Sequence, residues 1–344
     1  MYALGTDMRA PGFEKIAPDG AVLERIAHGL IFTEGPVWDG RAGALIWTDI
    51  RGDKILKWTP GVGTETMLEP TGKANGLTLD HENRIVVAGW GSRTMWRIEP
   101  DGSHTTLVSH YDGVKLGTPN DVVVKSDGSI WWTDTDGALF IPGMCGDDVQ
   151  KYRDYNATMR LSPDVAQAPS PAVSGSAGVS PAGGGGGGSL SPVEGKGGAV
   201  TVVDRACEGP NGLCFSPNES ILYINDTPNR NIHAYDVQPD GTLKNGRIFY
   251  TDTGIEPGVP DGMKVDVEGN VYCTSSAGVH VISPQGKLLG RIKVPEHVAN
   301  FAWGDADFRT MYLTCREVVY RTRIGIPGVP HGEENRQKVL LSGR

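Results

Sequence analysis

Residues 117–134 read GTPNDVVVKSDGSIWWTD, and this stretch holds the pattern that decides the fold. Two runs rich in β-branched and aromatic residues, NDVVVK from Asn120 and IWWTD from Ile130, flank the turn signal Ser126-Asp127-Gly128. Such a pair predicts a β-hairpin. Similar pairs occur six times, and their first runs are EGPVW from Glu34, NGLTLD from Asn75, NDVVVK from Asn120, NGLCFS from Asn211, DGMKVD from Asp261 and NFAWGD from Asn300.

The spacing of these pairs indicates one repeated unit. The first runs begin 41, 45, 91, 50 and 39 residues apart, and removing a 33-residue low-complexity stretch shortens the long interval to 58. Repeats of roughly 40–50 residues with several strands each are typical of β-propellers. The sequence therefore predicts an all-β protein, a six-bladed β-propeller that forms a single domain over residues 1–344.

The low-complexity stretch spans residues 165–197 and consists mainly of Ala, Pro, Ser and Gly. Segments of this composition bury too little apolar surface to offset the entropy lost on ordering them. We expect a flexible insertion within one long loop of the propeller. A linker between two domains is the alternative, but the same repeat continues on both sides of the stretch.

Composition and charge exclude several classes of partner. The net charge of -9 and the pI near 5.4 disfavour nucleic acid or an anionic membrane. No stretch of 18 apolar residues predicts a membrane span, and the start of the sequence lacks the pattern of a signal peptide. Five cysteines without CxxC spacing suit reduced thiols. We expect a soluble cytoplasmic protein.

The first residue of each repeated unit carries a carboxylate or amide oxygen. In a propeller these six side chains, which we call the opening residues, would surround one mouth of the central channel. Asn-Gly and Asp-Gly are also common turn formers, and this alternative explains one or two units better than six. Oxygen donors of mixed charge suit a hard divalent cation such as Ca²⁺, Mg²⁺ or Mn²⁺. The pattern predicts a central metal site formed from Glu34, Asn75, Asn120, Asn211, Asp261 and Asn300.

Several motifs, in order, resemble the gluconolactonase/regucalcin (senescence marker protein) family. They are EGPVW, ANGLTLD, GTPNDVVVKSDGSIWWTD, PNGLCFSPN, LYINDT, PDGMKVDVEGNVY and VPEHVANFAWG. The resemblance extends from about Glu34 to Tyr320, apart from the insertion. It implies a six-bladed propeller in which Glu34, Asn211 and Asp261 bind the metal. It also implies that Asp261 is the general base and that Asn120 contacts substrate or metal.

The sequence departs from the family pattern around the expected mouth. Trp90 stands where many bacterial members have His, Thr118 stands where regucalcin has Arg, and Asp134-Thr-Asp-Gly137 replaces DPPYG. We expect Asn75, Asn120, Asn300, Trp90 and Thr118 to contact substrate. Arg93 is expected in a solvated loop, and anchoring of a carboxylate or phosphate is the alternative. The loop from Ala138 to Asp164, enlarged by the insertion, is expected over the mouth.

These observations lead to one functional hypothesis and two alternatives. The hypothesis is hydrolysis of a lactone, a sugar lactone such as gluconolactone in the first place. One divalent cation assists the reaction; Ca²⁺ is the cation we expect first, with Mg²⁺, Mn²⁺ or Zn²⁺ as alternatives. Asp261 removes a proton from the attacking water. The alternatives are a metal-dependent phosphotriesterase or esterase with the same fold, and a non-catalytic calcium-binding propeller.

Overall fold

The structure, a computed structural model, describes residues 1–167 and 199–330. Strands dominate these ranges. The helices found there are the single turns α1 (Phe13–Ile16) and α2 (Pro163–Ala166), with a 3-10 turn at Gly137–Phe140. The protein is all-β, as predicted. In the described part of the chain no helix is long and apolar enough to cross a bilayer.

Twelve strands precede the third repeated unit, and fourteen follow from there within the described ranges. The first twelve are β1 (Tyr2–Ala3), β2 (Gly5–Met8), β3 (Val22–Asp39), β4 (Ala44–Asp49), β5 (Lys54–Thr59), β6 (Gly63–Leu68), β7 (Leu77–Leu79), β8 (Ile85–Gly89), β9 (Thr94–Ile98), β10 (His104–Val108), β11 (His110–Tyr111) and β12 (Val114–Lys115). The others are β13 (Thr118–Val124), β14 (Ile130–Thr135), β15 (Ala157–Leu161), β16 (Val200–Asp204), β17 (Pro210–Phe215), β18 (Ile221–Asp226), β19 (Asn231–Val237), β20 (Leu243–Thr251), β21 (Met263–Val265), β22 (Val271–Ser275), β23 (Gly278–Ile282), β24 (Leu288–Lys293), β25 (Asn300–Gly304) and β26 (Thr310–Arg323).

Consecutive strands pair as antiparallel hairpins. Three sheets have four strands each, in the orders β10-β9-β8-β7, β13-β14-β15-β16 and β17-β18-β19-β20. A five-stranded sheet has the order β2-β24-β23-β22-β21, and β11 pairs only with β12. A seven-stranded sheet has the order β25-β26-β3-β4-β5-β6, with β1 beside β3. The predicted hairpins are thus present in all six units.

The first strands of the six units contact one another in a closed cycle. β3 contacts β7, β7 contacts β13, and β13 contacts β17. The cycle continues from β17 to β21 and from β21 to β25, and β25 contacts β3 again. The first strand of every unit therefore lies on the inside of the molecule, next to its equivalents from both neighbouring units.

Strands from the two ends of the described chain close this arrangement. The N-terminal part of β3 pairs with the C-terminal part of β26, with Ala27 opposite Val319 and Glu24 opposite Arg321. The same region contains the largest hydrophobic cluster, in which the rings of Trp38 and Tyr312 stack with centroids 5.3 Å apart. Apolar burial reinforces the backbone pairing here.

The described chain leads into the predicted insertion at a later residue and at a different end of the sheet than expected. Ala166 is buried and its carbonyl accepts a bond from Arg97 Nη1, so residues 165–167 belong to the packed structure. Residues 168–197 lie outside the described residues. They follow β15 and precede β16, and the Gln167 amide bonds the carbonyl of Gly128, in the turn that ends β13. The insertion therefore departs from the end of the sheet opposite Asn120.

The expectation that the insertion enlarges the loop over the mouth is wrong for this reason. The segment that adjoins the opening residues connects β14 to β15 and comprises residues 136–156, which we call the mouth loop. The low-complexity segment instead joins the two outer strands of the sheet at its other end.

Candidate functional site

β-Bulges position three of the opening residues. The register between first and second strands shifts within Glu34–Val37, Pro119–Val122 and Pro210–Leu213. Each shift adds one residue to the first strand. The extra residue is not paired in the hydrogen-bonding ladder, and the side chains at that point change direction. Because Asn120 and Asn211 lie in these bulges and Glu34 borders one, the side chains here depart from simple alternation along the strand.

The glycines that follow four opening residues are required by close packing between units. A Cβ atom on Gly35 would lie 2.1 Å from the Asn75 carbonyl oxygen, and one on Gly212 would lie 2.2 Å from that of Asp261. Gly76 and Gly262 meet the next unit equally closely. Of the four glycines, Gly35 alone has a positive φ, 52°. Turn formation therefore does not explain the repeated X-Gly pattern, whereas contact between neighbouring units does.

Side chains on the second strands hold the backbone of three opening residues. The Thr48 hydroxyl donates to the Asn75 carbonyl at 3.0 Å, and the Thr133 hydroxyl donates to that of Asn211 at 2.7 Å. The Asn225 amide donates to the Asp261 carbonyl at 2.5 Å. Each bond joins one unit to the next, so these opening residues are fixed relative to their neighbours.

Glu34 and Asp261 form an electrostatically coupled pair of carboxylates. Burial raises the pKa of Glu34 to about 7, and the charge of Asp121 adds to the increase. Burial raises the pKa of Asp261 well above its usual value, and the charges of Glu34 and Asp121 raise it further. Three carboxyl groups from three different units thus lie near enough to repel one another when ionised.

Amide side chains contact this pair of carboxylates. Asn300 hydrogen-bonds Glu34, and Asn211 hydrogen-bonds Asp261. Asn75 and Asn300 are buried, whereas Asn120, Asn211 and Asp261 are half-buried and retain surface toward solvent. The structure therefore places Asn300 beside Glu34 and Asn211 beside Asp261, and Asn75 and Asn120 occupy the equivalent positions of the remaining two units.

Two charged residues at this site are absent from the sequence-based set. Lys264 lies in β21, and its Nζ atom is 3.2 Å from Asn300 Oδ1 and 3.5 Å from Asp121 Oδ2. Asp121 directly follows Asn120, and both it and Lys264 are buried. The sequence feature that could have identified Lys264 and Asp121 is a charged residue within an otherwise apolar first run. A comparison that looks for features shared by all units does not detect a residue that occurs in one unit.

The departures from the family pattern lie beneath the mouth loop. Trp90 is half-buried and packs against the apolar cluster formed by Ile50, Ala138 and Leu139 with their neighbours. Thr118 is buried, and its hydroxyl is 3.1 Å from that of Thr135. Both side chains therefore support the mouth loop in this structure, and their expected contact with substrate stays a prediction.

Arg93 fastens the mouth loop to the sheet below it. Its side chain is 2% exposed, and the guanidinium donates to the carbonyls of Leu116, Gly117, Asp148 and Gln150. It also bonds the Asp148 carboxylate at 3.0 Å. The expectation of a solvated Arg93 is wrong, because the planar guanidinium satisfies several carbonyls at the same time.

The donor set at the opening residues fits a hard divalent cation. Glu34, Asp121 and Asp261 bring three carboxylates together, and Lys264 brings one ammonium group. With all four groups ionised their net charge is about -2, which a dication would neutralise. Amide oxygens of Asn120 and Asn211 offer further ligands of the kind that Ca²⁺ and Mg²⁺ prefer.

A second set of candidate ligands lies elsewhere, in the fourth unit. Cys207, Asp226 and His233 place one ligand atom each within 4.8 Å of one another. Asp226, however, already accepts bonds from the amide groups of Glu208 and Gly209 at 2.9 and 3.0 Å. This carboxylate fixes the segment leading into β17, which is a structural task.

Comparison with known proteins places the chain in a family. Residues 32–317 match the family described as SMP-30/Gluconolactonase/LRE-like region. Because the match covers most of the chain, the protein belongs to this family. The resemblance inferred from the motifs is confirmed.

Individual relatives agree with this assignment. The gluconolactonase of Zymomonas mobilis is 26% identical, over 91% of this chain and 84% of its own length. Regucalcin of Xenopus laevis is also 26% identical, over 82% of each chain. Among solved structures, a gluconolactonase from Xanthomonas campestris superposes with a TM-score of 0.77 at 27% identity, covering 94% of this chain and 97% of its own.

Proposed function

We propose that this protein hydrolyses a lactone, a sugar lactone in the first place, with one divalent cation held among the opening residues of a six-bladed propeller. The observation that carries the proposal is the grouping of Glu34, Asp121 and Asp261, three carboxylates from three units; burial raises the pKa of Glu34 and Asp261, and the charges of neighbouring carboxylates raise it further. Such a grouping is costly for an empty site, and a bound cation would offset that cost.

The closed cycle of first strands supports the six-bladed arrangement. Six first strands contact one another in sequence order and return to the first. The pairing of β26 with β3 supplies the last unit with an outer strand from the N-terminal part of the chain. In such an arrangement the opening residues face a common central channel.

Glu34, Asn211 and Asp261 would hold the cation, with Asn120 beside them. A divalent cation supplies Lewis acidity to the lactone carbonyl and to water when it is bound. The residues of the chain have separate tasks. Asp261 accepts the proton of the attacking water. Its side chain is half-buried and so retains some surface toward solvent.

The names of relatives support lactones as the substrate class. Relatives named gluconolactonase, pentonolactonase and 6-deoxy-6-sulfogluconolactonase align over most of this chain. The half-buried Asn120 amide is suited to hydroxyl groups of a sugar lactone, since an amide both donates and accepts. Phosphotriester hydrolysis and non-catalytic calcium binding are the alternatives that the experiment must separate.

A lactone panel with controlled metal content tests the proposal. Chelator-treated protein is assayed with a pH indicator on sugar and aliphatic lactones and on a phosphotriester, with Ca²⁺, Mg²⁺, Mn²⁺ or Zn²⁺ added singly. Cation binding is measured in parallel by titration calorimetry. We expect turnover of sugar lactones that is lost on chelation and restored by one of these cations.

Other outcomes contradict specific parts of the proposal. Turnover of the phosphotriester alone would replace the substrate class. Cation binding without turnover of any substrate would favour the non-catalytic alternative. Full lactone turnover by protein that binds no cation would overturn the metal-dependent mechanism.

A further inference from the structure

Lys264 is a buried cation directly beneath the carboxylates of the candidate site. Its side chain is 11% exposed, and Nζ lies 3.5 Å from Asp121 Oδ2. The charge of this ammonium group acts on both Glu34 and Asp261. At equivalent positions the first strands of other units carry Val123 and Cys214, which have no charge. The lysine is therefore a feature of this site and not of the repeat.

The ammonium group also orients the amide of Asn300. Asn300 Oδ1 accepts from Lys264 Nζ at 3.2 Å and from the Phe301 amide at 2.9 Å. With the oxygen occupied in this way, the NH₂ group is the part of the amide that can donate to Glu34, with which Asn300 is hydrogen-bonded. Lys264 thereby fixes the direction of a neighbour of the Glu34 carboxylate.

Lys264 also lines a cavity at the other end of the first strands. That cavity is lined by Lys264 together with Cys214, Val265 and Trp303, and by residues near the ends of other first strands. Lys264 thus borders this cavity, and its ammonium group contacts Asp121 and Asn300. These contacts fix the charge of the ammonium group beside Asp121 and Asn300.

We propose that Lys264 determines the valence of the cation that this site selects, by holding the charge of its three carboxylates and one ammonium group at -2 and by orienting Asn300. This inference rests on the proposed function, because it assumes that the opening residues bind a cation. It adds a positioning and specificity-determining residue to that site.

The expected effect follows from Coulomb's law. Removing one positive charge makes the site more favourable for any cation, and the gain grows with the charge of the cation. At an effective dielectric constant near 20 and separations of several ångströms, the difference between a trivalent and a divalent ion is roughly tenfold in affinity or more. Lys264→Met should therefore bind Ca²⁺ more tightly and Tb³⁺ more tightly still.

The test measures Ca²⁺ and Tb³⁺ affinity for the full chain at one fixed pH, pH 8, for every variant. Titration calorimetry gives the Ca²⁺ affinity, and competition followed by terbium luminescence gives that of Tb³⁺. Lys264→Arg is the matched control, since it keeps the charge. We expect the Tb³⁺/Ca²⁺ affinity ratio to rise roughly tenfold or more in Lys264→Met and to stay within about twofold in Lys264→Arg.

The remaining outcomes overturn the inference. An unchanged ratio in Lys264→Met, with both ions still bound, would exclude a role in valence selection. An equal rise in Lys264→Arg would show that charge is not the cause. If the wild-type protein binds neither ion, the proposed function fails and the inference fails with it. Lys264→Gln, which retains a donor for Asn300, replaces the Met variant if that variant does not fold.

Discussion

Gly212 lies against the backbone of Asp261, with space for a hydrogen atom and none for a methyl group. A Cβ atom at position 212 would be 2.2 Å from the Asp261 carbonyl oxygen and 2.8 Å from the Met263 nitrogen. The same carbonyl accepts a bond from Asn225. Packing between the fourth and fifth units therefore fixes the position of the carboxylate that we propose as the general base.

Gly212→Ala should disturb this contact and the site together. The methyl group would force the two units apart, and overpacking of this kind costs roughly 1–3 kcal/mol or more. We expect a lower melting temperature and a weaker cation affinity. Gly137→Ala is the matched control, because its Cβ would meet Trp90 and Thr135 at ordinary distances of 3.6 and 3.7 Å. Equal effects of the two substitutions on melting temperature would contradict the packing argument.

Asp261→Asn should have opposite effects on stability and on activity. The folded-state pKa of Asp261 is raised, so its ionised form destabilises the empty protein at pH values above the ordinary pKa of an aspartate. The chelator-treated variant should therefore unfold at a higher temperature than wild type at pH 8. Lactone turnover should fall by roughly 100-fold or more through loss of the base.

Asp226→Asn is the control for that stability effect. Asp226 is also buried, but backbone amides of Glu208 and Gly209 donate to its two oxygens. Replacing one oxygen by an NH₂ group removes an acceptor, so this variant should be less stable than wild type. A stabilisation of both variants would show that relief of repulsion at the candidate site is not the cause.

Cation affinity should increase with pH across neutrality. The pKa of Glu34 is raised to about 7, and a protonated carboxyl group must lose its proton before it can bind a metal. Below pH 7 the apparent Ca²⁺ affinity should rise by up to roughly tenfold per pH unit for each proton displaced. Calorimetry at pH 6, 7 and 8, in buffers of different ionisation enthalpy, counts the released protons. A constant affinity without proton release would exclude Glu34 as a ligand.

Arg93→Met should detach the mouth loop from the sheet. The guanidinium is buried and bonds four carbonyls and the Asp148 carboxylate, and breaking a buried charged network costs about 3 to 5 kcal/mol. Lys115→Met is the control, since Lys115 contacts the same carboxylate from a side chain that is 42% exposed. That control should cost at most about 1 kcal/mol. Chemical denaturation and limited proteolysis near residues 140–150 measure the difference.

Deleting residues 168–198 should leave catalysis unchanged. The segment joins β15 to β16 at the end of the sheet opposite Asn120, and the amide of Ser162 bonds the carbonyl of Ala199, so its ends are close together. A short Gly-Ser connection should preserve kcat/KM within about twofold, because closure entropy depends weakly on loop length. A large fall in kcat/KM, with melting temperature retained, would show that the insertion acts on the site.

The repeat explains how much of this structure the sequence could predict. Hairpin positions, the all-β class and the six opening residues follow from shared features of the units. Lys264 and Asp121 do not, because each is a singular residue within one unit. The strand β15, ATMRL, is short and holds one β-branched residue, so the pattern did not reveal that the insertion follows a third strand. Arg93 was predicted to be solvated because its burial depends on carbonyl groups that are distant in sequence, and the local sequence does not show them.

The pairing of β3 with β26 cannot form until both strands have been synthesised. Residues 24–33 leave the ribosome long before their partners at residues 316–321. At translation rates of roughly 5–20 residues per second, the first segment waits on the order of tens of seconds for its partner. Nascent chains therefore carry an unpaired strand edge until residues 316–321 are made, and contact with other nascent chains or with a chaperone would compete with this pairing during that time.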